Sequence, residues 1–310
     1  TVSGITASDK SYDGSTSATL GTSNILYSGL VSGDSFSGSY TGTFDNKNVG
    51  TGKTVTISSS YSGDDVSNYS VTNQSSTAAA IIKKTLTASA SASNKTYNGN
   101  TTATTTLSFS GLAGSETLGQ SVSSTFNNKN VGTGKTVTVD SITLSDGSNG
   151  GLASNYTISA GQTTTANITA KSLTVSGITA SNKTYDANTN ATMSVSSVSY
   201  SGLVNGDNFV VSASGAFDNK NVGTGKTVTI SSSYSGSDVS NYSVTNQSST
   251  TANVTAKALT VSGITASDKS YDGSTSATLG TSNILYSGLV SGDSFSGSYS
   301  GTFNNANVGS

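Results

Sequence analysis

Apolar and polar residues alternate along several stretches of this chain. Phe36, Gly38, Tyr40, Gly42 and Phe44 share one parity, with Ser and Thr between them. Phe209, Val211, Ala213 and Phe217 repeat the pattern, as do Leu118, Val122 and Phe126. Val55 and Ile57 alternate with Thr54 and Thr56, and Tyr69 and Val71 carry a later run. Side chains of a strand point to opposite faces with a period of two, so each run predicts a half-buried strand. Asp45 to Gly52, rich in Asn and Gly, predicts the hairpin loop between the first two strands. Helix is not expected, because Glu, Arg, Met and Gln are scarce while Ser, Thr, Val, Asn and Gly dominate. The best helical candidate, residues 78–84, is read as strand, because its counterparts Ala166-Asn167-Ile168-Thr169 and Ala252-Asn253-Val254-Thr255 read that way.

The pattern recurs because the sequence does. One landmark is Lys10-Ser11-Tyr12-Asp13-Gly14, repeated with Lys95 and Tyr97, Lys183 and Tyr185, and Lys269 and Tyr271, at intervals of 85, 88 and 86 residues. A second runs from Phe44 through Asn48, Gly50, Gly52 and Lys53 to Val55; it returns from Phe126 and Phe217 and begins again at Phe303. The third is Asn68-Tyr69, echoed by Asn155-Tyr156 and Asn241-Tyr242. These divide the chain into modules 1–84, 85–171 and 172–257 and a partial fourth, 258–310. Residues 1–40 and 260–299 are identical, which predicts a higher-order period of three modules running past both ends of the chain.

Each module holds about six or seven short strands, the number expected of a small β-sandwich of immunoglobulin-like type. A β-grasp module is the alternative, and it requires a helix. At the joints the apolar parity switches, from Ile168 and Ala170 to Leu173 and Val175, and from Val254 and Ala256 to Leu259 and Val261. A switch of parity exchanges the two faces, so a strand is expected to leave one module and start the next directly. With no Gly- or Pro-rich linker, the array is expected to be semi-rigid.

Composition narrows the chemistry. Charged residues make up only 10%, all 14 basic residues are Lys, and Glu116 is the only Glu. A net charge of −2 without a basic cluster lacks the footprint of a nucleic-acid binder. The absence of His and Cys removes the commonest transition-metal ligands, nucleophile–His dyads and disulfides. No cofactor, metal site or catalytic residue is expected. No apolar run is long enough for a membrane span. The chain starts at Thr1 without a signal-peptide pattern, as a mature fragment or a window cut from a longer protein would.

Candidate sites were weighed against structural readings of the same residues. Gly50-Thr51-Gly52-Lys53-Thr54 imitates part of a phosphate loop, but Lys47 stands where the first Gly is required and no helix follows. Asp13, Asp34, Asp45, Asp64 and Asp65 offer oxygens for calcium; without a gathering motif they read as turn residues. A Lys–Asn isopeptide link between the recurring Lys10, Lys95, Lys183 and Lys269 and the recurring Asn68, Asn155 and Asn241 is set against a solvated Lys whose stem packs on the tyrosine, which is preferred. Tyr27, Tyr61 and Tyr200 are either sugar platforms or closures of a core edge.

The three landmarks in fixed order resemble the YDG-type repeat domain, which is similar to the MBG repeats of very large bacterial surface and filamentous-haemagglutinin-like proteins. The resemblance covers the whole chain, with departures at Asn98 and Ala187, so Asp13 is not expected to be catalytic. It implies a secreted or surface-attached adhesin or filament with these modules as its stalk, no enzymatic activity, and an extracellular or bacterial cell-surface location. The expected partners are neighbouring modules of the same chain. Glycan or host-surface binding and self-assembly of identical chains into a fibre are the alternatives.

Overall fold

The computed structural model describes residues 1–309. They form two units, Thr1–Thr169 and the described residues from Ala170 onward. Both are all-β; among the described residues there is no α-helix, only 3-10 turns at Val66–Asn68, Ala153–Asn155 and Val239–Asn241.

Module 1 sets the pattern. Its strands are β1 (Val2–Ser3), β2 (Thr6–Ala7), β3 (Lys10–Ser11), β4 (Ser17–Ala18), β5 (Leu20–Gly21), β6 (Leu26–Tyr27), β7 (Ser37–Phe44), β8 (Gly50–Ser62) and β9 (Ser76–Ile82). The main sheet runs β3-β9-β8-β7-β4, with β1 paired to β6 and β2 to β5. The alternation read from sequence is realised in β7 and β8: Phe44, Val55 and Ile57 are buried while Thr43, Thr54 and Thr56 face solvent. Residues 78–82 lie in strand β9, as expected.

The sheet is mixed, and here the immunoglobulin-like expectation needs correction. β3 runs parallel to β9, with Lys10 opposite Ile81, while the other pairs of the main sheet are antiparallel. Its two outer strands, β3 and β4, are joined by the five residues Tyr12 to Thr16. A sheet whose edges are tied so closely has to curl, and each complete module approaches a closed barrel instead of a clear two-sheet sandwich. Period-two alternation reports which face is buried but not which strand is the neighbour, so the parallel pairing could not be read from it.

Module 2 repeats the plan with a four-stranded sheet, Lys95–Thr96, Thr163–Thr169, Gly132–Asp146 and Leu118–Phe126. A bridge from Thr102 to Thr125 stands in for β4. Asp140 is an extra residue between Val139 and Ser141, opposite Ser123 and Ser124, so its long strand carries a bulge. Lys84–Thr85 follows β9 after one residue and runs parallel to Tyr156–Thr157. The chain therefore passes from module 1 into module 2 strand to strand. The cores merge as well: Tyr12, Phe44, Val55, Ala79 and Ile81 of module 1 form one buried cluster with Leu86, Ala113 and Tyr156 of module 2.

In the second unit, module 3 has the five-stranded sheet Lys183–Thr184, Ser249–Thr255, Gly223–Ser235, Val210–Phe217 and Asn190–Ala191. Its core holds Phe217, Val228, Ala252 and Val254. Module 4 contributes three short antiparallel pairs, Thr260–Ser262 with Leu285–Ser287, Thr265–Ala266 with Leu279–Gly280, and Ser276–Ala277 with Gly301–Thr302.

Candidate functional site

The chain's chemistry-bearing side chains gather where one module meets the next. The site begins inside a module, with a tyrosine and an acid. Tyr156 follows a 3-10 turn and sends its hydroxyl into the loop Gly111 to Glu116. The hydroxyl accepts the Ala113 N–H at 3.0 Å and donates to Glu116 Oε2 at 2.7 Å. Tyr69 does the same with the Val31 N–H and Asp34, and Tyr242 with the Val204 N–H and Asp207. Thus the tyrosine of the third landmark pins a loop of constant form, Gly-Leu-x-x-x-acid, in each complete module.

Module 1 then reaches the same acid from the other side. Tyr12 donates to Glu116 Oε1 at 2.6 Å, and Lys47 Nζ lies 2.6 Å from that oxygen. The rings of Tyr12 and Tyr156 meet edge to face, 5.3 Å between centroids. Beside them, Asn155 Oδ1 accepts the Val49 N–H at 3.0 Å and its Nδ2 donates to Asn48 Oδ1 at 3.1 Å. Glu116 is buried, as are Tyr12 (1% exposed), Asn155 and Tyr156. Gly14 lies against this contact with φ +80°; a Cβ there would come within 3.2 Å of the Ala113 methyl. Residues from all three landmarks thus converge on one carboxylate.

Burial is the strongest single influence on Glu116 and opposes its ionisation. The hydrogen bonds from Lys47, Tyr12 and Tyr156 together outweigh it and hold the carboxyl below its ordinary value. Burial, with the bonds to Glu116, raises the Tyr12 hydroxyl and pushes Tyr156 up to about 12. The bond to Glu116 raises the Lys47 ammonium, with help from Tyr12. The result is a saturated joint: a charged acceptor with three donors, each such bond worth about 1.5–3 kcal/mol.

In the second unit the same positions meet again. Lys220 Nζ lies 3.7 Å from Asp293, and Tyr185 and Asp293 both raise the lysine, the tyrosine bond first. Within residues 258–310 there is no Asn-Tyr landmark to complete the site. Tyr185 is only half-buried and Val222, the counterpart of Val49, is 55% exposed.

The first landmark's lysine has a separate task. Lys10 Nζ, on β3, donates to Ser15 O at 2.9 Å and to Ser17 O, on β4, at 3.0 Å, and pairs with Asp13 at 2.9 Å. It sits 5.5 Å from the centroid of the Phe44 ring. Lys95 makes the same bonds to Asn98, Asn100 and Thr102 over Phe126. Lys183 binds Asn188 and Asn190 over Phe217, and Lys269 binds Asp272 and Ser274 over Phe303. The lysine closes the seam between the two edge strands. It is not a solvated side chain leaning on the tyrosine: its ring is the phenylalanine that opens the second landmark, and its donors go to backbone carbonyls and loop side chains. Asn155, weighed and set aside from sequence as an isopeptide partner, bonds Val49 and Asn48 across the junction.

The remaining candidates also have local partners. Asp13 accepts the Ser15 N–H, Asp45 pairs with Lys53 at 2.8 Å, and Asp65 accepts the Ser35 N–H. Among the described residues no three carboxylates come together as a metal site needs. Gly50 and Gly52 open strand β8 directly, with no helix behind them. Tyr27 and Tyr61 pack against Phe36, and Tyr200 against Phe209, closing the end of a core. Glu116 and Lys47 escaped the sequence reading as a pair. The signal was present: Asp34, Glu116, Asp207 and Asp293 all stand five residues after a Gly-Leu glycine.

Comparison with known proteins agrees with this periodicity. The family profile of the YDG domain matches residues 1–78, 82–166, 169–252 and 255–310. No curated protein matches the chain. With four copies spanning its length, the chain belongs to the YDG domain family.

Proposed function

We propose that this chain is a structural segment, a stalk or filament, of a large secreted or surface-attached bacterial adhesin, and that its work is to provide length and resist extension rather than to catalyse. The observation that carries this reading is the joint at Glu116. Two modules share one core and lock through a buried carboxylate with three donors, so pulling them apart exposes the core and strands a charge. The repertoire around the joint is Asp, one Glu, Tyr and Lys, with the donors already taken. Among the described residues no helix is long and apolar enough to cross a membrane.

Fibre formation by strand pairing between chains finds less support, since curling each sheet toward closure leaves little free edge. Glycan binding also has less to stand on. Outward hydroxyls pair with each other across the strands, Ser37 with Ser62 at 2.8 Å and Ser212 with Ser233 at 2.8 Å. The test is to pull single molecules while measuring scattering and glycan or cell binding on the same preparation. A stalk gives force peaks in which modules 1 and 2 yield together, a maximum dimension that scales with module number, and no saturable binding. A compact particle, or saturable binding to glycans or cells, rejects the reading.

A further inference from the structure

The two halves of the junction are both present in this chain without their mates. On module 1, Asn68 is exposed and Tyr69 is half-buried, whereas the equivalent Asn155 and Tyr156 of module 2 are buried against module 1. Val31, the counterpart of Ala113, is 61% exposed beside Asp34. A cavity of about 190 Å³ opens next to Thr1, lined by Val2, Tyr27, Leu30, Phe36, Tyr69 and Val71. In module 2 the equivalent position is filled by Leu86, which joins a cluster with Phe109, Leu112, Leu118 and Ile158. Leu86 and Leu173, each placed immediately before the equivalent of Thr1, are buried.

Module 4 identifies what fits. Its residues 260–299 are those of 1–40, and Leu259 precedes them. There the acid equivalent to Asp34 is Asp293, and it is met by Lys220 of module 3, which is itself bonded to Tyr185. The same module 3 leaves Val222, the counterpart of Val49, exposed, and residues 258–310 lack the Asn-Tyr pair that Asn68 and Tyr69 supply.

We propose that the face of module 1 formed by Val31, Asp34, Asn68, Tyr69 and the cavity beside Thr1 is a docking face for a module of the third kind, residues 172–257, followed by Ala258 and Leu259 and joined directly ahead of Thr1. That partner brings the equivalents of Tyr185 and Lys220 to Asp34, of the Val222 N–H to Asn68, and of Leu259 to the cavity. The inference rests on the reading of the modules as mutually locked. It adds which kind of module precedes module 1 and through which atoms.

The experiment compares hydrogen exchange in the 310-residue chain with that in a chain carrying a second copy of residues 172–259 ahead of Thr1. Docking slows exchange of the amides from Leu30 to Asp34 more than tenfold in the longer chain. Asp34→Asn in the longer chain removes most of that protection, and Lys→Ala at the added copy's equivalent of Lys220 removes a similar part. Unchanged exchange from Leu30 to Asp34 overturns the proposal, whatever the state of the added module. Protection that survives both substitutions overturns the assigned contacts. Failure here leaves the scattering and force measurements on the shorter chain as they stand, so the two readings fall separately.

Discussion

The junction of modules 1 and 2 and that of modules 3 and 4 use the same residue positions to different depth. At the first, Tyr12 is buried, Lys47 is 2.6 Å from Glu116, and Asn155 and Tyr156 close the site from above. At the second, Lys220 is 3.7 Å from Asp293, Tyr185 is half-buried, and no Asn-Tyr strand is present. Tyr271, in the partial module 4, is 68% exposed. The trailing tyrosine packs on its own module's core at both junctions, and at the first the next module's third landmark completes its burial.

The comparison breaks first at the acid. Glu116→Ala leaves two phenols and an ammonium without their acceptor and should cost about 3–5 kcal/mol in urea unfolding, splitting modules 1 and 2 into separate transitions. Asp293→Ala removes a more exposed pair and should cost less than about 1 kcal/mol. Equal losses at the two sites would mean that burial is not what sets them apart. Tyr12→Phe comes next. It removes one bond to a charged acceptor and should cost about 1.5–3 kcal/mol, while Tyr185→Phe should shift the midpoint little.

A backbone contrast follows. Gly14 has φ +80°, and its counterpart Ala187 holds φ +64° with a Cβ. Ala187→Gly should relieve about 1 kcal/mol of left-handed strain, and Gly14→Ala should lose at least as much, since its methyl also meets Ala113. Unfolding midpoints of the two variants decide this.

The pH response sharpens the comparison further. Because the Glu116 carboxyl is held below its ordinary value, its stabilisation is complete above about pH 4.3, the unfolded value. It is lost as pH falls through the lower folded value. Tyr156 acts in the opposite sense: its contribution is complete below about pH 10 and lost as pH rises towards about 12. Stability of modules 1 and 2 against pH, measured in wild type and Glu116→Gln, should differ by a loss of the acid limb in the variant.

Much of this was legible beforehand in particular residues. Phe44, Val55 and Ile57 announced their strands by parity, and the three landmarks announced the repeat. The parallel pairing of Lys10–Ser11 with Ile81–Ile82 was not visible, because alternation carries no information about neighbours some 70 residues away. Glu116 stood out as the only Glu, yet its partners Tyr12, Lys47 and Tyr156 lie 104, 69 and 40 residues off. Lys10 was noticed and misread: two of its acceptors are the backbone carbonyls of Ser15 and Ser17, which side-chain identity does not reveal.

The merged core has a practical consequence for anyone dissecting such a chain. A cut at a sequence boundary, for instance after Lys84, passes through the middle of the cluster that contains Tyr12 and Leu86. It leaves two raw surfaces instead of two finished pieces. Fragments meant to behave as independent particles are better ended so that each trailing tyrosine keeps its following Asn-Tyr, even when that means carrying most of an additional repeat.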